Sequence, residues 1–199
     1  MDYENKILDL FDGKYLKTED VVKANIPKVY LTKMVRKGLI QRVKKGIYMS
    51  SQTFPDDMYE VIASSKYGIY SSLSSLYLLD LCERIPIVYD LTVPVGYKGY
   101  LQKIKNVKLY YVSKEIYEIG LINVDDMFGN NLRCYDLERT ICDIVKYYEK
   151  LDRELCNKAL IQYFNENNDE KKLFLYAKKL GVYNKLMKKV EVLRWTKIV

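Results

Sequence analysis

The chain has 199 residues, 49% of them hydrophobic, with 33 Lys and Arg against 26 Asp and Glu and no histidine at all. The lack of histidine excludes His-ligated metal sites and Ser-His or Cys-His catalysis. Apolar runs fall far short of the roughly 18–20 residues a membrane helix needs, and the opening MDYENKILDLFDGK carries acids and no apolar signal core. A cytoplasmic protein without a membrane segment is expected. Cys82, Cys134, Cys142 and Cys156 are widely spaced with no C-x-x-C, so reduced and mostly buried thiols are expected.

The net charge of +7 is unevenly placed. Residues 1–53 hold eleven Lys/Arg against six Asp/Glu, a net of +5, and the remaining residues hold 22 against 20, a net of +2. Residues 28–49, KVYLTKMVRKGLIQRVKKGIYM, contain seven basic side chains and no acid. A basic face of this kind favours a polyanion, because each phosphate contact releases condensed counterions.

In chain order, residues 2–11 place Ile7, Leu8, Leu10 and Phe11 near one face of a first helix, which Asp12-Gly13 stops. Tyr15-Leu16 is a short extended link. Thr18 followed by Glu19 and Asp20 reads as the N-cap of a second helix that ends near Ala24-Asn25. Pro27 suits the start of a third helix over about 28–37, stopped by Gly38. In this helix Leu31, Met34 and Val35 share one side. Val29, Thr32, Lys33 and Arg36 share the other, with Lys28 at the N-terminal end. Residues 39–43 and 47–49 form a hairpin across Lys44-Lys45-Gly46, with Leu39, Val43 and Ile47 covering the helices. A basic third helix followed by a basic hairpin is the pattern of a winged helix-turn-helix, in which the helix reads base edges and the hairpin meets phosphates. The expected DNA contacts are Lys28, Val29, Thr32, Lys33, Arg36, Arg42, Lys44 and Lys45. A small three-helix domain for protein contacts is the competing reading.

A polar joint near residues 50–55 separates domain 1–52 from domain 53–199. In the second domain, Asp56-Asp57 caps a helix to about 65. Strands are expected near 67–71, 87–93, 107–112, 119–128 and 132–135, the last two pairing across Gly129-Asn130-Asn131, with a helix from Ser72. Asp136 caps a helix with Leu137, Ile141, Ile144, Val145 and Tyr148 inward. Helices over about 153–165, 170–180 and 183–193 follow, punctuated by NENND (165–169) and Gly181. The fold class is α+β: an N-terminal winged helix-turn-helix, then a larger mixed α/β domain with a helical C-terminal half.

Candidate acids for chemistry are Asp125, Asp126, Asp136, Glu138 and Asp143. No Asp…Glu-x-Lys pattern sits on a hairpin, and no P-loop, G-x-G-x-x-G or G-x-S-x-G occurs. No catalytic set, metal site or cofactor is expected; a metal-dependent nucleic-acid enzyme using these acids stays the minor alternative.

The segment Val-Arg-Lys-Gly-Leu-Ile-Gln-Arg-Val-Lys-Lys-Gly-Ile-Tyr (35–48), behind Thr18-x-Asp20-Val21-Val22, resembles the winged helix of AbiEi-type antitoxins. Residues 69–76, IYSSLSSL, and 135–143, YDLERTICD, resemble two recurring segments of that family's C-terminal domain. The resemblance implies a bacterial toxin–antitoxin operon acting in phage defence by abortive infection. In it, the antitoxin represses its own promoter by binding inverted repeats. Its C-terminal domain counters a nucleotidyltransferase-like AbiEii toxin, without stable binding between the two being assumed. It marks Asp136, Glu138 and Arg139 as signature residues, either holding the fold or meeting a partner. A transcriptional regulator unrelated to any toxin is the alternative.

Overall fold

The carboxylate of Asp2 accepts from the backbone N–H groups of Glu4 and Asn5 and starts helix α1 (Tyr3–Asp9). The computed structural model describes residues 2–11, 14–52, 54–63, 65–166 and 168–195; the expected Asp12-Gly13 stop, Thr53 in the joint and Asn167 lie outside them. The chain divides into two units, Met1–Lys66 with Asp125–Leu132, and Tyr67–Val124 with Arg133–Val199.

In the first unit α1 is followed by β1 (Tyr15–Lys17), α2 (Thr18–Lys23), α3 (Val29–Arg36), β2 (Ile40–Lys44), β3 (Ile47–Ser50) and α4 (Asp57–Ala63). The strands form an antiparallel sheet in the order β1-β3-β2. Ile7, Leu16, Val21, Leu31, Met34 and Ile40 meet in one apolar core beneath it. Two expectations need correction. Thr18 is not the cap of α2 but its first helical residue; its N–H donates to Gly46 O at 2.8 Å, so β1 feeds straight into the helix. Ile40, at 1% exposure, covers the helices in place of Leu39, which is 41% exposed. Gly38 takes φ +72° and Leu39 N–H closes α3 by donating to Met34 O at 3.0 Å. This turn uses up Leu39, the strand starts one residue later, and a shift of one residue reverses the faces.

The second unit contains β4 (Ile69–Tyr70), α5 (Ser72–Leu78), β5 (Tyr89–Pro94), β6 (Val107–Val112), α6 (Lys114–Tyr117), β7 (Leu121–Asp125), β8 (Asn131–Tyr135), α7 (Leu137–Tyr147), α8 (Arg153–Asn165), α9 (Glu170–Lys179) and α10 (Tyr183–Trp195). Its sheet has the order β6-β5-β4-β8-β7, parallel at β5–β6 and β4–β8 and antiparallel at β4–β5. Among the described residues, the one-turn helix α6 and the 3-10 turns at Tyr100–Lys103 and Tyr148–Lys150 are absent from the expectations, being too short to show a period. Asp136 caps α7 as expected, accepting from Arg139 N–H at 2.9 Å. Ile141, Ile144 and Val145 join Leu160, Leu173 and Leu186 in the core. The mixed α+β class expected for the chain holds.

Gly120 takes φ +76° and its carbonyl accepts from Asp136 N–H at 2.7 Å. A Cβ there would stand 2.6 Å from Arg139 Cβ and 2.8 Å from Asp136 Oδ1. Strain and overlap act together, so Gly120→Ala is expected to destabilise the protein by about 1–3 kcal/mol or more, read from urea unfolding.

The segment Asp125–Leu132 joins the first unit through carboxyl groups. Asp56 Oδ1 accepts from Met58 and Tyr59 N–H at 3.0 and 3.2 Å, capping α4. Asn130 Nδ2 donates to Asp56 Oδ2 at 2.8 Å and to Asp126 Oδ2 at 3.0 Å, and Asp126 Oδ1 accepts from Phe128 and Asn130 N–H. Burial, then the hydrogen bond and charge of Asp126, push the Asp56 carboxyl up to about 7. Hydrogen bonds from Asp56, Asn130 and Phe128 hold Asp126 below its ordinary value against the pull of burial. Native Asp56 therefore keeps a proton that the unfolded chain gives up near 3.8. Its contribution to stability is full below that value and is lost as pH rises through about 7. Urea midpoints are expected to fall between about pH 4 and 7, and Asp56→Asn is expected to flatten that slope.

Candidate nucleic-acid interface

Helix α3 is set against α2 by a turn read directly from the chain. Asn25 takes φ +57°, a conformation Asn tolerates, and Ile26 N–H reaches back to Val21 O at 3.1 Å. Ile26 and Val21 are themselves buried, which fixes where α3 begins. Leu31 and Met34, at 1% and 0% exposure, seat α3 on the core. Val29 is 53% exposed on the opposite side, and Thr32, Lys33 and Arg36 lie exposed along the same stripe at helical spacing, with Lys28 exposed ahead of it. Lys33 Nζ lies 4.8 Å from the Tyr30 ring, which packs on Tyr3 at 4.9 Å. That contact steadies the lysine while leaving its ammonium in water. Lys37 is held differently: its ammonium binds Glu4 at 2.6 Å.

The hairpin separates the three basic residues expected on it. Arg42 and Lys45 are exposed. Lys44 is half-buried and donates to the Glu60 carbonyl of α4, and burial lowers its pKa. The cause is a register shift between Arg42 and Lys44 in the β2–β3 ladder, which moves Lys44 off the alternation its neighbours set. Gly46, at φ +82°, closes the turn. Of the eight expected contacts, Lys28, Val29, Thr32, Lys33 and Arg36 gather on α3, and Arg42 and Lys45 stand on the hairpin. Lys44 turns inward. Glu60, which positions Lys44, was not anticipated; the two lie 16 positions apart in the chain, with no pattern that pairs them.

In the second unit the signature residues are all engaged. Arg139 is 1% exposed; its Nε donates to both oxygens of Asp143 at 3.1 and 3.2 Å and its Nη1 to Ile116 O and Ile119 O at 2.6 and 3.0 Å. Asp136 and Glu138 hold Lys172 at 3.0 and 2.8 Å. These two carboxylates keep the Lys172 ammonium pKa raised against its own partial burial. Tyr176 and Tyr163 donate to Asp136 and Glu138 at 3.3 and 3.5 Å. This arrangement ties α7 to α8, α9 and the loop before β7. Among the described residues no cluster of His, Cys, Asp and Glu gathers around a common point for a metal ion. The four cysteines are free, and burial pushes the thiols of Cys134 and Cys142 far up and that of Cys156 to about 12. At neutral pH these three stay protonated and unreactive.

Residues 5–51 match the family model of the AbiEi antitoxin transcriptional regulators. No curated protein matches the chain. Among solved structures the chain is similar to the crystal structure of the RV2827C protein from Mycobacterium tuberculosis, with a TM-score of 0.59 and 12% identity over 88% of this chain and 69% of that one. At that identity the likeness is one of fold. The matched segment runs from α1 through β3 and contains every residue of the basic helix and hairpin. Over these residues the chain is similar to the AbiEi antitoxin transcriptional regulators.

Proposed function

We propose that the chain is the antitoxin and autorepressor of a toxin–antitoxin operon, acting in the cytoplasm. Residues 1–52 work as a winged helix-turn-helix on promoter inverted repeats, and residues 53–199 neutralise a nucleotidyltransferase-type toxin. The observation that carries the DNA reading is the open face of α3. Val29, Thr32, Lys33 and Arg36 are exposed together in a stretch with no acid, while Leu31 and Met34 anchor the helix from behind. Lys33 and Arg36 offer donors to purine edges, Thr32 a hydroxyl and Val29 methyls for a thymine methyl. Lys28, Arg42 and Lys45 take phosphates, setting orientation and most of the affinity. Lys44 acts one step back, holding the hairpin to α4 through Glu60.

For toxin neutralisation the support is the similarity of residues 5–51 to the AbiEi antitoxin regulators. A regulator without a toxin is the second reading, because the family match ends at residue 51.

Binding to the chain's own upstream DNA, measured across several salt concentrations, tests the interface. Arg36→Ala and Lys45→Ala are each expected to lower the salt slope by about one unit, and Lys44→Ala by less. Unchanged slopes for the first two would remove α3 and the hairpin from the interface. In cells expressing a cognate nucleotidyltransferase-type toxin, full-length Arg36→Ala is expected to lose repression and keep protection. A wild-type chain that represses but gives no protection would favour the second reading.

A further inference from the structure

The stretch between α5 and β5 is apolar where a connecting loop is ordinarily polar. Asp80, at φ +57°, turns the chain out of α5, and Leu81 N–H closes the helix on Leu76 O at 2.9 Å. Beyond Arg84 the chain then exposes Ile85 at 66%, Ile87 at 84% and Val88 at 48%, around Pro86. Three aliphatic side chains in four residues make a contiguous patch, not scattered exposure. The same stretch forms one wall of a cavity of about 340 Å³, whose other walls include Leu73, Leu151 and Leu155.

The acids of this cleft are engaged within the fold, and two lysines stand beside them. Asp90 sits at the base, 4% exposed; its carboxylate accepts from Tyr110 OH at 3.0 Å and from the Leu73 N–H. Asp152 is taken up by capping α8 and by Arg84 at 3.5 Å. Lys108 donates to the Lys150 carbonyl at 3.1 Å, which brings the two lysines together on the lining, and the Lys150 side chain is exposed. The cleft therefore presents an apolar cavity whose lining carries a pair of lysines and an aliphatic strip that is largely exposed.

We propose that this cleft docks a protein segment carrying a large apolar side chain beside a carboxylate. The apolar side chain fills the cavity, the carboxylate meets Lys150 and Lys108, and the backbone runs over Ile85 and Ile87. A small molecule confined to the cavity would touch Ile87 on its lining but leave most of that side chain, 84% exposed, in water. A nucleic acid would find phosphate contacts but no aromatic ring on the lining for a base to stack on. The docking stands apart from the DNA reading, since the residues of this cleft lie outside α3 and the hairpin.

The probe is a displayed library of random linear peptides selected on the full-length protein. Enriched peptides are expected to pair a large apolar residue with Asp or Glu. A synthetic copy is expected to bind at least about tenfold more weakly to Ile87→Asp and to Lys150→Glu, with a reduced salt dependence for the second. Both positions are exposed, so thermal unfolding of the two variants is expected to match the parent protein. No enrichment, enrichment of basic sequences, or affinity unchanged in both variants would overturn the proposal. So would light scattering that finds a dimer in the parent protein and a monomer in Ile87→Asp, because the occupant would then be a second copy.

Discussion

The guanidinium of Arg139 is almost completely removed from water and meets three oxygen-bearing partners there. It forms a forked contact with Asp143 one turn along α7, reaches the carbonyls of Ile116 and Ile119, and lies 4.1 Å from the Tyr135 ring centroid. Burial raises the Asp143 carboxyl, and the guanidinium beside it acts in the opposite direction. A lysine could not replace this geometry, because an ammonium has no planar fork to share between a carboxylate and two carbonyls. Such a pair is weak evidence of net stabilisation, yet removing one member leaves a buried charge unmet, at a cost of about 3–5 kcal/mol. The close approach of Gly120 to Arg139 Cβ follows from the same constraint. Helix α6 and the residues after it have to pass near α7 for the carbonyls of Ile116 and Ile119 to be reached.

In the first unit the organising element is apolar. Leu31 and Met34 fix the rotation of α3 about its axis, and that rotation decides which residues face outward. The stripe Val29, Thr32, Lys33 and Arg36 is a by-product of core packing as much as of its own chemistry. The hairpin is placed by less: one hydrogen bond from Thr18 to Gly46, the ladder to β1, and Lys44 on Glu60.

What the sequence made legible follows from the range of each signal. Helical periodicity located α3 and α7 to within a residue or two, and Asp136 announced its own role because capping is a local act. The expected strand over 107–112 matches β6 because its flanks are polar. Errors arose where a tertiary contact competed with a local one. Thr18 has the residue type of a cap, but the hairpin turn takes its N–H. Leu39 and Ile40 are equally apolar, and only the left-handed turn at Gly38 decides between them. Lys44 and Lys45 are identical in type and adjacent, and a register shift sends them to different surroundings. Arg139 stood out only through the family resemblance, as a residue that holds the fold or meets a partner, since nothing within a few residues reveals that the carbonyls of Ile116 and Ile119 close over it. Asp56 and Asn130, 74 residues apart, left no trace of their contact at all.

The first unit is discontinuous, and this bears on how the chain matures during synthesis. Everything from α1 to α4 leaves the ribosome early, but Asp125–Leu132 follows only after residues 67–124. At about 5–20 residues per second that interval lasts several seconds. Throughout it the polar face of Asp56 lacks Asn130 and Asp126, and the basic helix and hairpin exist without the last segment of their unit. The gene order of the segments thus sets a delay between the first appearance of the basic helix and the completion of the body that carries it.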